Sequence, residues 1–85
     1  FAKTHEQNLQ LLRDLEQLTA GPRPVLIGPS RKRFIGAVLN EPRPKARLWG
    51  TAAVACRCAQ AGAAVLRVHD VGPISQTLRM AMELW

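Results

Sequence analysis

The chain has 85 residues, 12 Lys+Arg against 6 Asp+Glu for a formal net charge of +6, and 47% hydrophobic residues. That length allows one domain at most, and the composition excludes a disordered or low-complexity chain. No apolar run approaches the roughly 18–20 residues of a membrane span, and two cysteines cannot build a disulfide framework or a four-ligand metal site.

The opening Phe1-Ala2-Lys3-Thr4 has neither a Met nor the charged-then-apolar layout of a secretory signal, so it reads as the interior of a longer protein. Thr4, with Gln7 three residues on, makes a capping-box start, and Leu9, Leu12, Leu15 and Leu18 recur at a helical period until Gly21-Pro22. One helix of about sixteen residues is expected there. Residues 24–28 form a short apolar run and read as a strand buried on both faces. Ser30 is the expected cap of a short helix through Leu39, and Pro42 and Pro44 mark a loop. A helix rich in small residues is expected over residues 46–61, closed by Gly62. Residues 63–69 read as a second buried strand, apolar at its start and polar at its end. A last helix is expected over residues 74–84, with Ile74, Leu78, Ala81 and Met82 turned inward. Cys56 and Cys58 face different ways on their helix and are expected to be packing thiols, and Trp49 and Trp85 packing residues.

Strands alternating with helices define parallel βα units. Two parallel strands leave their outer edges unpaired, so this pattern is a piece of a larger α/β sheet or barrel. In such folds the chemistry lies at the C-terminal ends of the strands. That rule selects Gly28-Pro29-Ser30-Arg31-Lys32-Arg33 and Arg67-Val68-His69-Asp70. Arg67 and His69 alternate with Val68 and so share a side of their strand. Cations and a His converging there suggest an anion site, with Arg67 placed to fork onto a phosphate and the helix after Ser30 adding backbone N–H donors. The plainer alternatives are a solvated helix start for Arg31, Lys32 and Arg33, a salt bridge from Arg67 to Asp70, and a structural His69. Three cations at a helix N-terminus oppose its dipole, which favours a functional reason for the run.

Gly28-Pro29-Ser30-Arg31-Lys32-Arg33-Phe34-Ile35-Gly36, followed after a spacer by Arg67-Val68-His69-Asp70-Val71, resembles the dihydropteroate synthase family. Phe1-Ala2-Lys3-Thr4 with Glu6-Gln7-Asn8-Leu9, and Arg47-Leu48-Trp49-Gly50-Thr51-Ala52, resemble other segments of that family in the same order. The resemblance covers the whole chain. It implies that residues 1–85 are the C-terminal part of one pterin-binding domain, about three βα units of an eight-unit TIM barrel with the first strand absent. The implied reaction joins p-aminobenzoate to 6-hydroxymethyl-7,8-dihydropterin diphosphate, giving 7,8-dihydropteroate and diphosphate in folate synthesis. By motif position Lys32 contacts the pterin and p-aminobenzoate, and Arg67 and His69 hold the diphosphate. Ser30, Arg31, Arg33 and Phe1 border the substrates, with Arg31 near the pterin ring. Arg33 stands where many bacterial relatives carry Ser, so an Arg contact to p-aminobenzoate replaces a hydroxyl one.

The resemblance further implies Mg²⁺ on the diphosphate, with its ligand upstream of these residues. It implies a homodimer as the full-length protein, with residues 74–85 contributing, and a cytoplasmic location, or a mitochondrial one in a plant. No nucleic-acid or membrane partner is expected. These residues alone are expected to be inactive. Two other classes are weighed against it. A methyltransferase of the pterin-binding barrels has no diphosphate to hold, so Arg67 and His69 would be without purpose. A small basic nucleic-acid module would need stacking aromatics, and only Phe34 and Trp49 lie near the basic stretch.

Overall fold

The structure is a computed structural model that describes residues 4–85. Helix α1 (His5–Arg13) opens on the expected capping box: Gln7 N–H donates to Thr4 Oγ1 at 3.1 Å, and Thr4 N–H donates to Gln7 Oε1 at 2.9 Å. The expected single helix is two. Asp14 leaves helical geometry at φ −101°, ψ 19°, and α2 (Leu15–Thr19) follows. The cause is a side chain inserted into the carbonyl ladder. Arg57 donates from Nε to the Leu12 carbonyl and from Nη2 to the Arg13 carbonyl, both at 2.8 Å, and it pairs with Glu16.

The two strands, β1 (Leu26–Ile27) and β2 (Val65–Leu66), are much shorter than the apolar runs that contain them. They pair in parallel, Leu26 beside Val65 and Ile27 beside Leu66, and Arg67 N–H extends the ladder to the Ile27 carbonyl at 2.9 Å. Burial on both faces does not hold: Leu26 is 62% and Val65 52% exposed. With two strands, the helices cover one face of the ribbon, and the opposite side chains meet no second layer among the described residues.

The crossover between the strands holds two helices, α3 (Arg33–Leu39) and α4 (Leu48–Gln60), joined through a 3₁₀ turn at Pro44–Ala46. Asn40 closes α3 in the left-handed region (φ 54°), which lets Glu41 N–H reach the Gly36 carbonyl at 2.8 Å. Gly62 ends α4 at φ +97°. Its N–H bonds the Ala59 carbonyl, and Ala63 N–H bonds the Cys58 carbonyl, so the two otherwise orphaned carbonyls are satisfied and the chain reverses into β2. Helix α5 (Val71–Leu84) starts three residues earlier than expected, because Pro73 sits in its first turn, where a missing N–H costs nothing.

Helix α4 is the hub. Thr51, Ala52, Ala55 and Cys58 form its buried face at helical spacing. Ala52 and Ala55 pack on Ile74 of α5, while Cys58 and Ala61 pack on Leu15 of α2; Leu66 of β2 touches both groups. Small residues there allow close helix approach. Of the expected packing residues, Trp49 is 78% and Trp85 52% exposed, and Met82 lies outside the core at 62%. The apolar stripe of α5 narrows to Ile74 and Leu78.

The two thiols divide by burial. Cys58 is fully enclosed, and burial pushes its thiol up to about 11, whereas Cys56 is partly accessible. Iodoacetamide at mildly alkaline pH is expected to modify Cys56 in the native protein and to reach Cys58 only after unfolding, as read by mass spectrometry. Equal native labelling would refute the enclosure of Cys58.

Candidate anion site at the strand ends

Both selected clusters emerge from the C-terminal ends of the paired strands and meet. Gly28, Ser30, Lys32, Arg67, Val68 and His69 line a cavity of about 250 Å³. The register of β1 and β2 is what brings them together, because residues one and three beyond Leu66 face those beyond Ile27. The Ser30 hydroxyl stitches the two chain segments. It accepts from His69 backbone N–H at 3.1 Å and lies 2.7 Å from His69 Nδ1. Ser30 is therefore not the cap of α3. Lys32 occupies that position, without a side-chain cap bond, and α3 has only seven residues.

The Ser30-Arg31-Lys32 turn is held in a conformation that its sequence disfavours. Arg31 adopts φ 59°, the left-handed region in which a residue with a Cβ is strained by about 1–2 kcal/mol. Three contacts impose it. Arg31 N–H donates to Thr51 Oγ1 at 3.1 Å, its carbonyl accepts from Arg47 Nη1 at 2.9 Å, and its guanidinium pairs with Asp70 at 3.1 Å. Thr51 is fully buried, and Arg47, 8% exposed, also donates to the carbonyls of Glu41 and Pro42 at 3.0 Å each. A buried guanidinium each of whose three nitrogens meets a carbonyl is a stable arrangement.

The expected site residues thus separate. Ser30, Lys32, Arg67 and His69 share the cavity. Arg31 does not line it; its side chain lies on Asp70, the carboxylate weighed above as a partner for Arg67. Arg33 is exposed on the first turn of α3 and lines neither hollow. Phe1 lies outside the described residues. Asp70 belonged to the selected cluster, with Arg31 and not Arg67 as its partner, whereas Arg47 and Thr51 were not legible as parts of the site. Both stood only in the 47–52 segment that resembles the family, and nothing local announced that Arg47 is buried or that it and Thr51 reach the Arg31 backbone.

The second, larger hollow, about 980 Å³, runs between α1–α2 and β1; Leu, Ile and Val side chains line its floor, Gln, Asn and Asp side chains of α1–α2 its rim, and Lys32 is its one cation among the described residues. Lys32 therefore belongs to both hollows. The donor set of the smaller one suits an anion and not Mg²⁺: Lys32 and Arg67 are cations, and no group of three or more His, Cys, Asp or Glu is placed to hold a metal among the described residues. No helix described is long and apolar enough to cross a membrane.

The neighbouring loop carries its own pH sensitivity. Arg43 beside Glu41 holds the Glu41 carboxyl down at about 2, well below the ordinary 4.5. A depressed carboxylate stabilises the folded state at pH above 4.5 and loses that contribution as pH falls toward 2. Denaturant titrations across that window are expected to show a shallower acid loss for Glu41→Gln than for the parent. Parallel curves would remove the Arg43 pair from the stability of the loop.

A parallel βα unit with Lys32, Arg67 and His69 gathered at its strand ends has the architecture of an α/β piece whose donor set suits an anion. This chain belongs to the pterin binding enzyme family, whose profile it matches over residues 1–69. It is 52% identical over 85 residues to the dihydropteroate synthase of Synechocystis sp., covering 100% of this chain and 29% of that protein. Its structure is similar to that of Thermus thermophilus dihydropteroate synthase in complex with 4-aminobenzoate, with a TM-score of 0.95, 39% identity, and coverage of 100% of this chain and 33% of the other. The same enzyme in complex with 6HMPPP matches with a TM-score of 0.95 and 39% identity, over 100% of this chain and 34% of the other. The chain thus spans about a third of the length of these relatives.

Proposed function

We propose that residues 1–85 are the C-terminal part of a dihydropteroate synthase, three βα units of a TIM barrel that hold the diphosphate end of its site. The observation that carries this reading is the cavity shared by Lys32, Arg67 and His69 at the ends of two parallel strands. The family match and the identity to named synthases support it. The large apolar hollow between α1–α2 and β1 is where a preceding barrel strand would pair with β1.

In this reading the amine nitrogen of p-aminobenzoate attacks the pterin methylene of 6-hydroxymethyl-7,8-dihydropterin diphosphate, diphosphate leaves with the electrons of the C–O bond, and the amine gives up one proton to solvent. Arg67 and His69 bind the diphosphate oxygens, where charge grows as the bond breaks, and so favour the transition state over the ground state. Lys32, lining both hollows, touches the pterin and p-aminobenzoate while its charge faces the leaving group. Ser30 borders the diphosphate through His69. Arg31 builds the turn from its pair with Asp70, and its approach to the pterin requires that pair to open. Arg33, exposed on α3, meets the p-aminobenzoate carboxylate, and by motif position Phe1 borders the pterin. Mg²⁺ on the diphosphate takes its protein ligands from outside these residues. The parent is a homodimer with a cytoplasmic, or in a plant mitochondrial, site of action, and the 85-residue chain alone turns nothing over.

The test is diphosphate release by the parent protein with dihydropterin diphosphate and Mg²⁺, with and without p-aminobenzoate. Release that requires p-aminobenzoate is expected. Release indifferent to it, or none, would overturn the reading.

A further inference from the structure

We infer that Ser30 is a positioning residue that acts through His69: its hydroxyl fixes the neutral imidazole in the form protonated at Nε2, and that N–H is the donor offered to the anion cavity. The argument is one of donors and acceptors around a single oxygen. A serine hydroxyl has one hydrogen to give and two lone pairs to fill. One lone pair of Ser30 Oγ already accepts from the His69 backbone N–H at 3.1 Å. The other close neighbour is His69 Nδ1 at 2.7 Å, a length suited to O–H···N. Among the described residues Nδ1 is the one acceptor within hydrogen-bond reach of the Ser30 hydroxyl hydrogen. If Nδ1 carried the proton, that hydrogen would have no partner in the protein. Nδ1 is thus the acceptor, and the proton of the neutral ring sits on Nε2.

The consequence fits the cavity. Lys32 and Arg67 line it with His69, so a third donor belongs there and a lone pair does not. The opposite tautomer would aim the Nε2 lone pair at an anion's oxygen, which is repulsive. Using the backbone N–H and ring of one residue, Ser30 also fixes the ring against the end of β2, so the donor is aimed before the anion arrives. This explains why a residue with good capping chemistry is not the cap of α3: its hydroxyl is held two residues earlier, on the other strand's loop. The inference takes only the identity of the anion, diphosphate, from the function proposed above.

The experiment is a long-range proton–nitrogen correlation spectrum of the parent protein labelled with ¹⁵N-histidine, at about pH 8, above the ordinary histidine range. Its readout is which ring nitrogen is of pyrrole type, and it needs no substrate. A pyrrole-type Nε2 and a pyridine-type Nδ1 are expected for His69, and Ser30→Ala should give a mixture of both tautomers. Calorimetric binding of inorganic diphosphate should weaken by about tenfold in Ser30→Ala, the scale of one hydrogen bond to a charged group, and recover in Ser30→Thr. A pyrrole-type Nδ1 in the parent, a doubly protonated ring, or an unchanged tautomer and affinity in Ser30→Ala would each overturn the inference. If Ser30→Ala does not fold, the parent's spectrum decides alone. A parent that binds diphosphate but forms no dihydropteroate would overturn the synthase reading, while the tautomer result would still decide this one.

Discussion

Arg67→Ala in the parent protein is expected to lower kcat for p-aminobenzoate-dependent diphosphate release by about 10²–10³, the usual consequence of removing one preorganised donor from a developing anion. The loss should fall on kcat more than on KM, because the leaving diphosphate gains its charge in the transition state. Arg67→Lys should recover part of it, since an ammonium keeps the charge and loses the fork. Lys32→Ala should differ in kind. Lys32 lines the cavity and the larger hollow together, so both kcat and the KM for the pterin substrate should suffer. Arg67 is exposed and takes part in no ion pair among the described residues, so the melting temperature should stay put while activity collapses. Retention of more than a tenth of the parent's activity by Arg67→Ala would remove it from the diphosphate site.

How much of this was readable in the residues follows from what each prediction depended on. The alternation of helix and strand, the capping box at Thr4 and the turn at Gly62 are local matters, and they hold. So does the meeting of Ser30, Lys32, Arg67 and His69, because it needs only that both strands be parallel and neighbours. What was not legible depended on long-range partners. The break at Asp14 is made by Arg57, more than forty positions away. Trp49 and Trp85 look like core residues by composition, but helix α4 turns its small residues inward and leaves Trp49 outside. The strands shrink to two paired residues each because pairing, unlike apolarity, needs a neighbour at every position. Arg31 has a left-handed backbone that no property of arginine announces; only the buried Arg47, Thr51 and the paired Asp70 impose it.

That dependence gives the second large effect. Arg47→Ala would remove the donor from the part-buried carbonyl bonds to Arg31, Glu41 and Pro42 and leave a void where the buried guanidinium stood, and is expected to destabilise the parent by about 3 kcal/mol. Its sharper signature lies at Gly36, in the interior of α3. A Cβ there would stand 2.5 Å from Arg47 Nε and 2.6 Å from Cζ. A long side chain usually moves aside from such a contact, but this one is buried and tied to three carbonyls, so moving it breaks the bonds that shape the turn. Gly36→Ala should therefore destabilise, although Ala in a helix interior is favoured over Gly by about 1 kcal/mol. Once Arg47 is replaced by Ala the obstruction is gone, and the same Gly36→Ala change should become stabilising by about that amount. The sign reversal, read from denaturant unfolding of the two single variants and the double, isolates the contact between the two positions from the general cost of either. Gly36→Ala costs that simply add to Arg47→Ala would show that the glycine is not there to let the arginine pass. A preserved sign with rescue by Arg47→Lys would instead place the effect in charge. The reversal also bears on catalysis, because Arg47 grips the carbonyl of Arg31, the residue between Ser30 and Lys32. A loosened turn moves both of those side chains away from Arg67 and His69, so Gly36→Ala should lower diphosphate release in proportion to the stability it removes from the turn, and not in proportion to any contact it makes with substrate.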